Sequence, residues 1–365
     1  MTRRAYAHRL AMAAPDDVSA LETAFASGAI QARSVVAILG KTEGNGCVND
    51  FSRGFATRAL SDALRQAGAD PAEVCLVMSG GTEGGLSPHI LVLEARESDE
   101  PARAGALAVG RARTADLAPE DLGRLAQVDL VAEGVSKAIR DAGLASAADA
   151  HFVQIKCPLL TADRIAAAER RGKTTATRDT LKSMGLSRAA SALGVAVALG
   201  EISRGVLTEA AIGRDFSLFS GRASTSAGVE LTDHEIVVLG ASSRWAGPLG
   251  VDHAVMADGI DIEPVRAALG RLGLLAEGQL KPAQRARLVA VLAKAEASSD
   301  GALRGNRHTM LNDSDISPTR HARAFVAGAL AGLVGHAEIY VSGGAEHQGP
   351  DGGGPVAVIV QTPGA

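Results

Sequence analysis

Ser79-Gly80-Gly81-Thr82-Glu83, Ser226-Ala227-Gly228-Val229-Glu230 and Ser342-Gly343-Gly344-Ala345-Glu346 are three versions of one pattern: Ser, a small residue, Gly, any residue, Glu. They fall roughly one per third of a 365-residue chain. A single Ser-Gly pair after an apolar run is commonly just a turn. Three five-residue matches at such intervals point to an internal repeat, which fixes the architecture before any other signal is read.

Working outward, each motif carries the same neighbours. Ser34 to Leu39, Ala150 to Ile155 and Val289 to Ala293 are short apolar runs that read as buried strands, ending at Lys41, Lys156 and Lys294. A helix follows near an arginine. The first runs from Asn49 to about Ala67 with Arg53 near its start and Phe55, Leu60 and Leu64 facing inward. The second opens at Ser187-Arg188 and continues to about Leu199, and the third starts at Arg323 and runs to about Leu333. Arg320 rivals Arg323, but Arg53-x-Phe55-x-x-x-Ala59-Leu60 matches Arg323-x-Phe325-x-x-x-Ala329-Leu330. Val74 to Met78 and Ala337 to Val341 then deliver Ser79 and Ser342, while Phe216 to Phe219 leads toward Ser226. A closing strand follows each motif, at His89 to Glu94, Glu235 to Leu239 and Val356 to Val360. The remaining pattern predicts helices near Val18 (with Asp16 or Asp17 as cap), from Leu130 to Ala142, from Ile262 to Leu272 and from Pro282 to Leu288. Ala106 to Val109 reads as a strand and Gly247 to Val251 as a turn and linker. The expectation is an α/β fold of three pseudo-threefold-related units, residues 1–103, 112–249 and 254–365.

Composition narrows the function. Aromatics are only 3% of residues, so the core must be Ala, Val, Leu and Ile. A net charge of −4 and no basic run interleaved with aromatics argue against a nucleic-acid partner. No apolar run reaches the length of a membrane span, and Met1 to Pro15 lacks the apolar stretch of a signal peptide. Cys47, Cys75 and Cys157 are odd in number and lack metal-ligand spacing, which points to a reduced, cytoplasmic protein. No His/Asp cluster has metal-ligand spacing either, and His89, His151, His253 and His347 show no partner pattern. No G-x-G-x-x-G sits at a strand-to-helix turn, which excludes a dinucleotide enzyme.

The triplicate residues carry the chemistry. A Lys at one strand end can meet a Ser at the next if the strands are adjacent. A seryl hydroxyl needs a base to become a nucleophile, and a Lys can be that base if burial and nearby cations depress its pKa. Arg53, Arg188 and Arg323 would be such cations around a common cleft. Backbone N–H groups at Gly80, Ala227 and Gly343 could bind carbonyl oxygens or an oxyanion. Three Lys, three Arg and three Ser about one axis suit a planar ring with three carbonyl acceptors. The residues leave open which serine reacts. Lys156, followed by Cys157-Pro158 where the other two lysines have a carboxylate two residues on, is expected to be the most easily neutralised. Glu83, Glu230 and Glu346 are expected to cap loops or pair with arginine.

These triplicate sets, with Arg222-Ala223-Ser224-Thr225-Ser226-Ala227-Gly228-Val229-Glu230 and Ser342-Gly343-Gly344-Ala345-Glu346-His347-Gln348-Gly349-Pro350, resemble the cyanuric acid hydrolase/barbiturase family of ring-opening amidohydrolases across the whole chain. The resemblance implies three domains, each a four-stranded sheet backed by helices, around one site, and a homotetramer. It implies Ser226 as nucleophile and Lys156 as its base. It further implies Arg53, Arg188 and Arg323 as carbonyl-holding arginines, and Ser79-Gly80, Ser226-Ala227 and Ser342-Gly343 as oxygen-binding pairs. Lys41 and Lys294 complete two supporting dyads. No catalytic metal is implied. A structural Mg2+ or Ca2+ is, at Glu296 and the backbone oxygens of Ala345, Gln348, Gly349, Pro350 and Gly353. The implied reaction opens cyanuric acid to carboxybiuret, which yields biuret and CO2. The alternatives are barbituric acid opened to ureidomalonate, and a non-catalytic binder of a planar small molecule.

Overall fold

Each third of the chain repeats one order: strand, helix, strand ending in Lys, helix, strand ending in Ser, closing strand. A computed structural model describes residues 1–363; the last two residues expected in the third unit, 364–365, lie outside the described residues. The first third contributes β1 (Thr2–Ala11), β2 (Val35–Thr42), β3 (Cys75–Gly80) and β4 (His89–Ser98). The second contributes β5 (Ala106–Arg113), β6 (Ala150–Pro158), β7 (Ala223–Gly228) and β8 (Glu235–Ser242), followed by the two-residue β9 (Trp245–Ala246). The third contributes β10 (Leu249–Met256), β11 (Leu288–Ala295), a hairpin of β12 (Ala302–Leu303) and β13 (Asn306–Arg307), then β14 (Tyr340–Gly343) and β15 (Gly354–Gln361). Strand orders are β3-β2-β4-β1-β9, β5-β8-β6-β7 and β10-β15-β11-β14. Without β9, all three are the same sheet: the first strand pairs antiparallel with the fourth, the fourth with the second, and the second runs parallel to the third.

The parallel pair needs a crossover, and a helix supplies it. These helices are α2 (Phe51–Gln66), α5 (Thr180–Ala198) and α8 (Pro318–Val334). The first crossover in each third holds α1 (Ser19–Ala26), α3 (Leu125–Asp141), and α6 (Glu263–Arg271) with the one-turn α7 (Pro282–Arg285). An additional helix, α4 (Ala162–Arg170), precedes α5. Asp50 caps α2 through its carboxylate, which accepts the Ser52 N–H, and Asp179 caps α5 by accepting from Lys182.

Strand faces alternate between two cores. In the first sheet Ile38, Leu76, Met78, Ile90 and Val92 pack on the helices beside Leu60 and Leu64. Leu39, Val77, Leu91 and Leu93 face the opposite way and join Phe152, Leu239, Leu292 and Ile359 in one cluster shared by all three sheets. The strands are apolar on both faces because both are covered.

Several expectations are corrected. Phe55 is not inward; it lies on the outer side of α2 and is 55% exposed, while Leu60 and Leu64 are buried. The expected linker at Gly247 to Val251 leads into β10, whose edge partner is β15. The helix expected to open at Ser187 begins at Thr180, so Arg188 lies in its interior. The helix expected from Pro282 to Leu288 is a single turn. The chain opens with β1, which spans ten residues and pairs along its whole length with β4. His151 and His253, expected to lack partners, face each other across the second and third sheets beside Asp252. The grouping joins residues 102 positions apart, so it leaves no metal-ligand spacing in the sequence.

Phe152 is fully buried in the shared cluster. Phe152→Ala should destabilise the protein by about 3–5 kcal/mol, whereas Phe55→Ala should move stability by about 0.5 kcal/mol or less. Urea unfolding of the two variants compares them directly.

Candidate active site

Register builds the site. Lys41 lies opposite Ser79, Lys156 opposite Ser226 and Lys294 opposite Ser342 in the three parallel pairs. Residues directly across a pair point to one face of the sheet, so each Lys is delivered beside its Ser. The three units then meet. Ser79 Oγ donates to Ser342 Oγ at 3.1 Å, and Ser226 Oγ lies 3.4 Å from Ser342 Oγ. The predicted Lys, Ser and Arg residues are thus gathered at one centre, and all three lysines are essentially without solvent contact.

The three dyads differ in detail. Lys41 Nζ donates to Ser79 Oγ at 3.4 Å and to the Gly80 carbonyl at 3.3 Å. Lys294 Nζ donates to Ser342 Oγ at 3.3 Å, to the Thr225 carbonyl at 2.9 Å and to the Gly343 carbonyl at 3.1 Å. Lys156 Nζ instead donates to the Met78 carbonyl at 2.6 Å and pairs with Glu230 Oε1 at 2.8 Å. Burial depresses every lysine. Lys41 is held well below the usual ammonium range by burial and then by Arg323. Lys294 is pushed down to about 7 by burial and then by Arg188. Lys156 is lowered by burial, against which Glu230 pulls upward. The expectation that Lys156 is the most easily neutralised therefore fails on this geometry: Glu230, four residues after Ser226, supplies the carboxylate that its own strand end lacks.

The glutamates of the repeat form a cyclic clamp. Arg323 of the third unit grips Glu83 of the first through Nε at 2.7 Å and Nη2 at 2.5 Å. Arg188 of the second grips Glu346 of the third through Nε at 2.8 Å and Nη2 at 2.6 Å. Such bidentate pairs are strong and directional. Symmetry would have Arg53 grip Glu230, but Arg53 Nη1 donates to the Ala227 carbonyl at 3.3 Å and Nη2 to the Cys47 carbonyl at 2.7 Å. Its Nε is buried with no partner. The glycine two residues after each Ser records the same break. A Cβ on Gly81 would lie 2.5 Å from Arg323, and one on Gly344 2.5 Å from Arg188, both at positive φ; one on Gly228 would meet only the carboxylate of Glu230. Arg320 is not the third clamp: it donates to the Asn45 carbonyl at 3.3 Å, and Arg323 is the buried one.

Tyr340 joins the centre without any counterpart in the repeat. It is fully buried two residues before Ser342, with its ring 5.8 Å from Lys41 Nζ. Its hydroxyl faces Ser79 and Ser226 yet forms no well-aligned hydrogen bond to either. Burial pushes the phenol up, so it stays protonated and able to donate. A lone tyrosine in an apolar run gives no local signal of this placement. The glutamates, by contrast, were visible in the repeat itself.

The C-terminal loop packs on the same centre. Glu296 is half-buried beside Glu346, and desolvation followed by that like charge raises its pKa. Its carboxylate accepts from the Ala345 N–H at 3.3 Å. Gln348 Oε1 accepts from the Thr225 N–H at 2.7 Å, and Gln348 N donates to the Ala345 carbonyl. Two crowded carboxylates under a carbonyl-rich turn form a donor set that fits a hard divalent cation.

The sequence profile of a family described as amidohydrolase ring-opening proteins matches residues 6–361. A cyanuric acid amidohydrolase of Bradyrhizobium sp. strain ORS 375 is 62% identical over 365 residues, 98% of each chain. One from Azorhizobium caulinodans is 63% identical over 96% of this chain and 97% of its own. The solved cyanuric acid hydrolase of A. caulinodans superposes with a TM-score of 0.92 over 99% of this chain and 100% of its own, at 61% identity. Another solved cyanuric acid hydrolase, described as an innovation by structural concatenation, gives 0.93 at 47% identity over 99% of this chain and 100% of its own.

Arg323 is 3% exposed. Glu83→Ala removes its bidentate counter-charge and should cost about 3–5 kcal/mol of stability. The check is a thermal melt of the variant beside the parent protein; an unchanged melting temperature would show that the clamp contributes nothing.

Proposed function

The chain belongs to the ring-opening amidohydrolase family, and from that membership we propose that it hydrolyses cyanuric acid, opening the ring to carboxybiuret through a Ser-Lys dyad. The observation that carries this reading is the threefold Lys-opposite-Ser register with the three hydroxyls converging. A planar ring with three equivalent carbonyls presents one acceptor to each unit.

Ser226 is the proposed nucleophile and Lys156 its base. The support is the asymmetry of that unit: it alone leaves Arg53 without a glutamate clamp and gives its lysine a carboxylate, Glu230, at 2.8 Å. Burial and the nearby Arg53 guanidinium lower the pKa of Lys156, so it gives up its proton to solvent even beside the Glu230 carboxylate, which stays ionised. Neutral Lys156 then takes the Ser226 Oγ proton as the oxygen attacks a ring carbonyl. The free N–H of Arg53 and backbone N–H groups near Ala227 stabilise the oxyanion. The ring C–N bond breaks, Lys156 returns the proton to the departing nitrogen, and an acyl-enzyme remains on Ser226. Water hydrolyses it to carboxybiuret, which loses CO2 to give biuret. In the same reading Ser79-Gly80 and Ser342-Gly343, with Arg188 and Arg323, hold the other two oxygens, backed by Lys41 and Lys294.

The three units are proposed as the repeated domains, with the expected bounds 1–103, 112–249 and 254–365 moved so that the second includes all of β5 (Ala106–Arg113) and the third all of β10 (Leu249–Met256). A structural Mg2+ or Ca2+ would be held by Glu296 and the backbone oxygens of Ala345, Gln348, Gly349, Pro350 and Gly353, where it would offset the Glu296–Glu346 repulsion. Exposed apolar side chains such as Phe51 and Leu275 support a homotetramer that buries them, and three unpaired cysteines support a cytoplasmic location. No helix among the described residues is long and apolar enough to cross a membrane.

Mass spectrometry of products from cyanuric and barbituric acid tests the substrate: biuret from cyanuric acid is expected, and turnover of barbituric acid alone would move the assignment. Ser226→Ala and Lys156→Ala should each reduce turnover to background in folded protein, whereas near-normal rates would place the chemistry in another dyad. The base is identified by pH. Activity should rise with pH as the depressed lysine loses its proton. Glu230 raises the pKa of Lys156, so Glu230→Gln lowers it further and should shift the acid limb of kcat/KM to lower pH. A limb left unmoved would point to Lys294 or Lys41.

A further inference from the structure

His151 stands at the start of β6, five residues and roughly 16 Å along the strand from Lys156, so it lies away from the Lys and Ser centre. Asp252 and His253 lie on β10, in the neighbouring sheet. The Nδ1 atoms of His151 and His253 are 2.9 Å apart. Asp252 Oδ1 lies 3.3 Å from His151 Nδ1 and 3.9 Å from His253 Nδ1. These three separations define one triangle, and the point equidistant from its corners lies about 2.0 Å from each atom, the length of a Zn–N or Zn–O bond.

The surroundings are also those of a ligand set. Arg271 Nε holds the other carboxylate oxygen of Asp252 at 2.5 Å and its Nη2 donates to the His253 carbonyl at 3.0 Å, while Oδ1 accepts the His253 backbone N–H at 2.7 Å, which together fix the carboxylate with Oδ1 beside the imidazoles. Arg222, the other nearby cation, is engaged elsewhere: Nε donates to Glu201 at 3.0 Å, and Nη1 to the Ala147 and Ala150 carbonyls at 3.2 and 2.9 Å. The two rings meet edge to face at 73°. The side chains are 20% and 30% exposed, so an ion reaches them from solvent and water completes its coordination.

We propose that His151, Asp252 and His253 bind a divalent transition-metal ion of the zinc class that ties the second sheet to the third. Two imidazoles and one carboxylate suit such ions rather than Mg2+ or Ca2+. The site is structural and stands apart from the ring-opening chemistry.

The test titrates zinc chloride into the metal-free full-length protein by calorimetry and follows cobalt chloride by its visible absorption. One equivalent should bind, excess zinc should raise the melting temperature by several degrees, and cobalt should give ligand-field bands of a nitrogen-bearing site. His151→Ala and His253→Ala should each weaken binding at least tenfold and abolish the thermal shift. His151→Asn and His253→Asn serve the same purpose where an alanine variant does not fold, with circular dichroism confirming the fold. Absence of stoichiometric binding, or affinity unchanged in both histidine variants, overturns the proposal and leaves the three side chains as a hydrogen-bonded contact.

Discussion

Three lysines are buried at strand ends, each opposite a serine, and the rest of the molecule is arranged to make that tolerable. A buried ammonium is expensive unless it is neutralised or paired. Lys41 and Lys294 settle among carbonyls and a seryl oxygen with arginines nearby, conditions that drive off the proton. Lys156 takes the other solution, a carboxylate. The parallel pairing of second and third strands creates this juxtaposition, and the crossover helix that parallel pairing requires also carries the arginine. One topological choice therefore positions all three kinds of side chain.

The arginine–glutamate clamps stitch the units into a ring. Each complete clamp joins the helix of one unit to the serine motif of another, so the interface and the site are made by the same residues. Two of the three links close, and the third is open at Arg53. A site with strict threefold symmetry would hold a symmetric ring equally in three ways and would single out no bond. The open link, the Lys156–Glu230 pair and the single phenol of Tyr340 at the centre each break that symmetry.

Much of this was legible in the chain. The triplicated motif, the lysine-terminated strands and the arginine before each serine are local patterns, and all were placed together as expected. Phe55 and the strand at Leu249 to Met256 depart from the sequence expectation for local reasons. Phe55 follows the helical period of a buried face only in part, and the strand hides behind Gly247 and Pro248, which read as punctuation. The helix through Arg188 begins well before Ser187, where Thr180, Lys182, Ser183 and Gly185 interrupt the apolar pattern.

The sequence by itself determined the repeat, the elements within it and the inventory of the site, because hydrophobic periodicity and motif spacing are properties of neighbouring residues. Only the tertiary structure decided the pairings between units: which glutamate meets which arginine, that Glu230 turns to Lys156, that Tyr340 lies under Ser79 and Ser226, and that His151 meets His253. Those contacts join residues tens to hundreds of positions apart. Their partners are chosen by how three sheets pack around a shared core, and no local spacing encodes that.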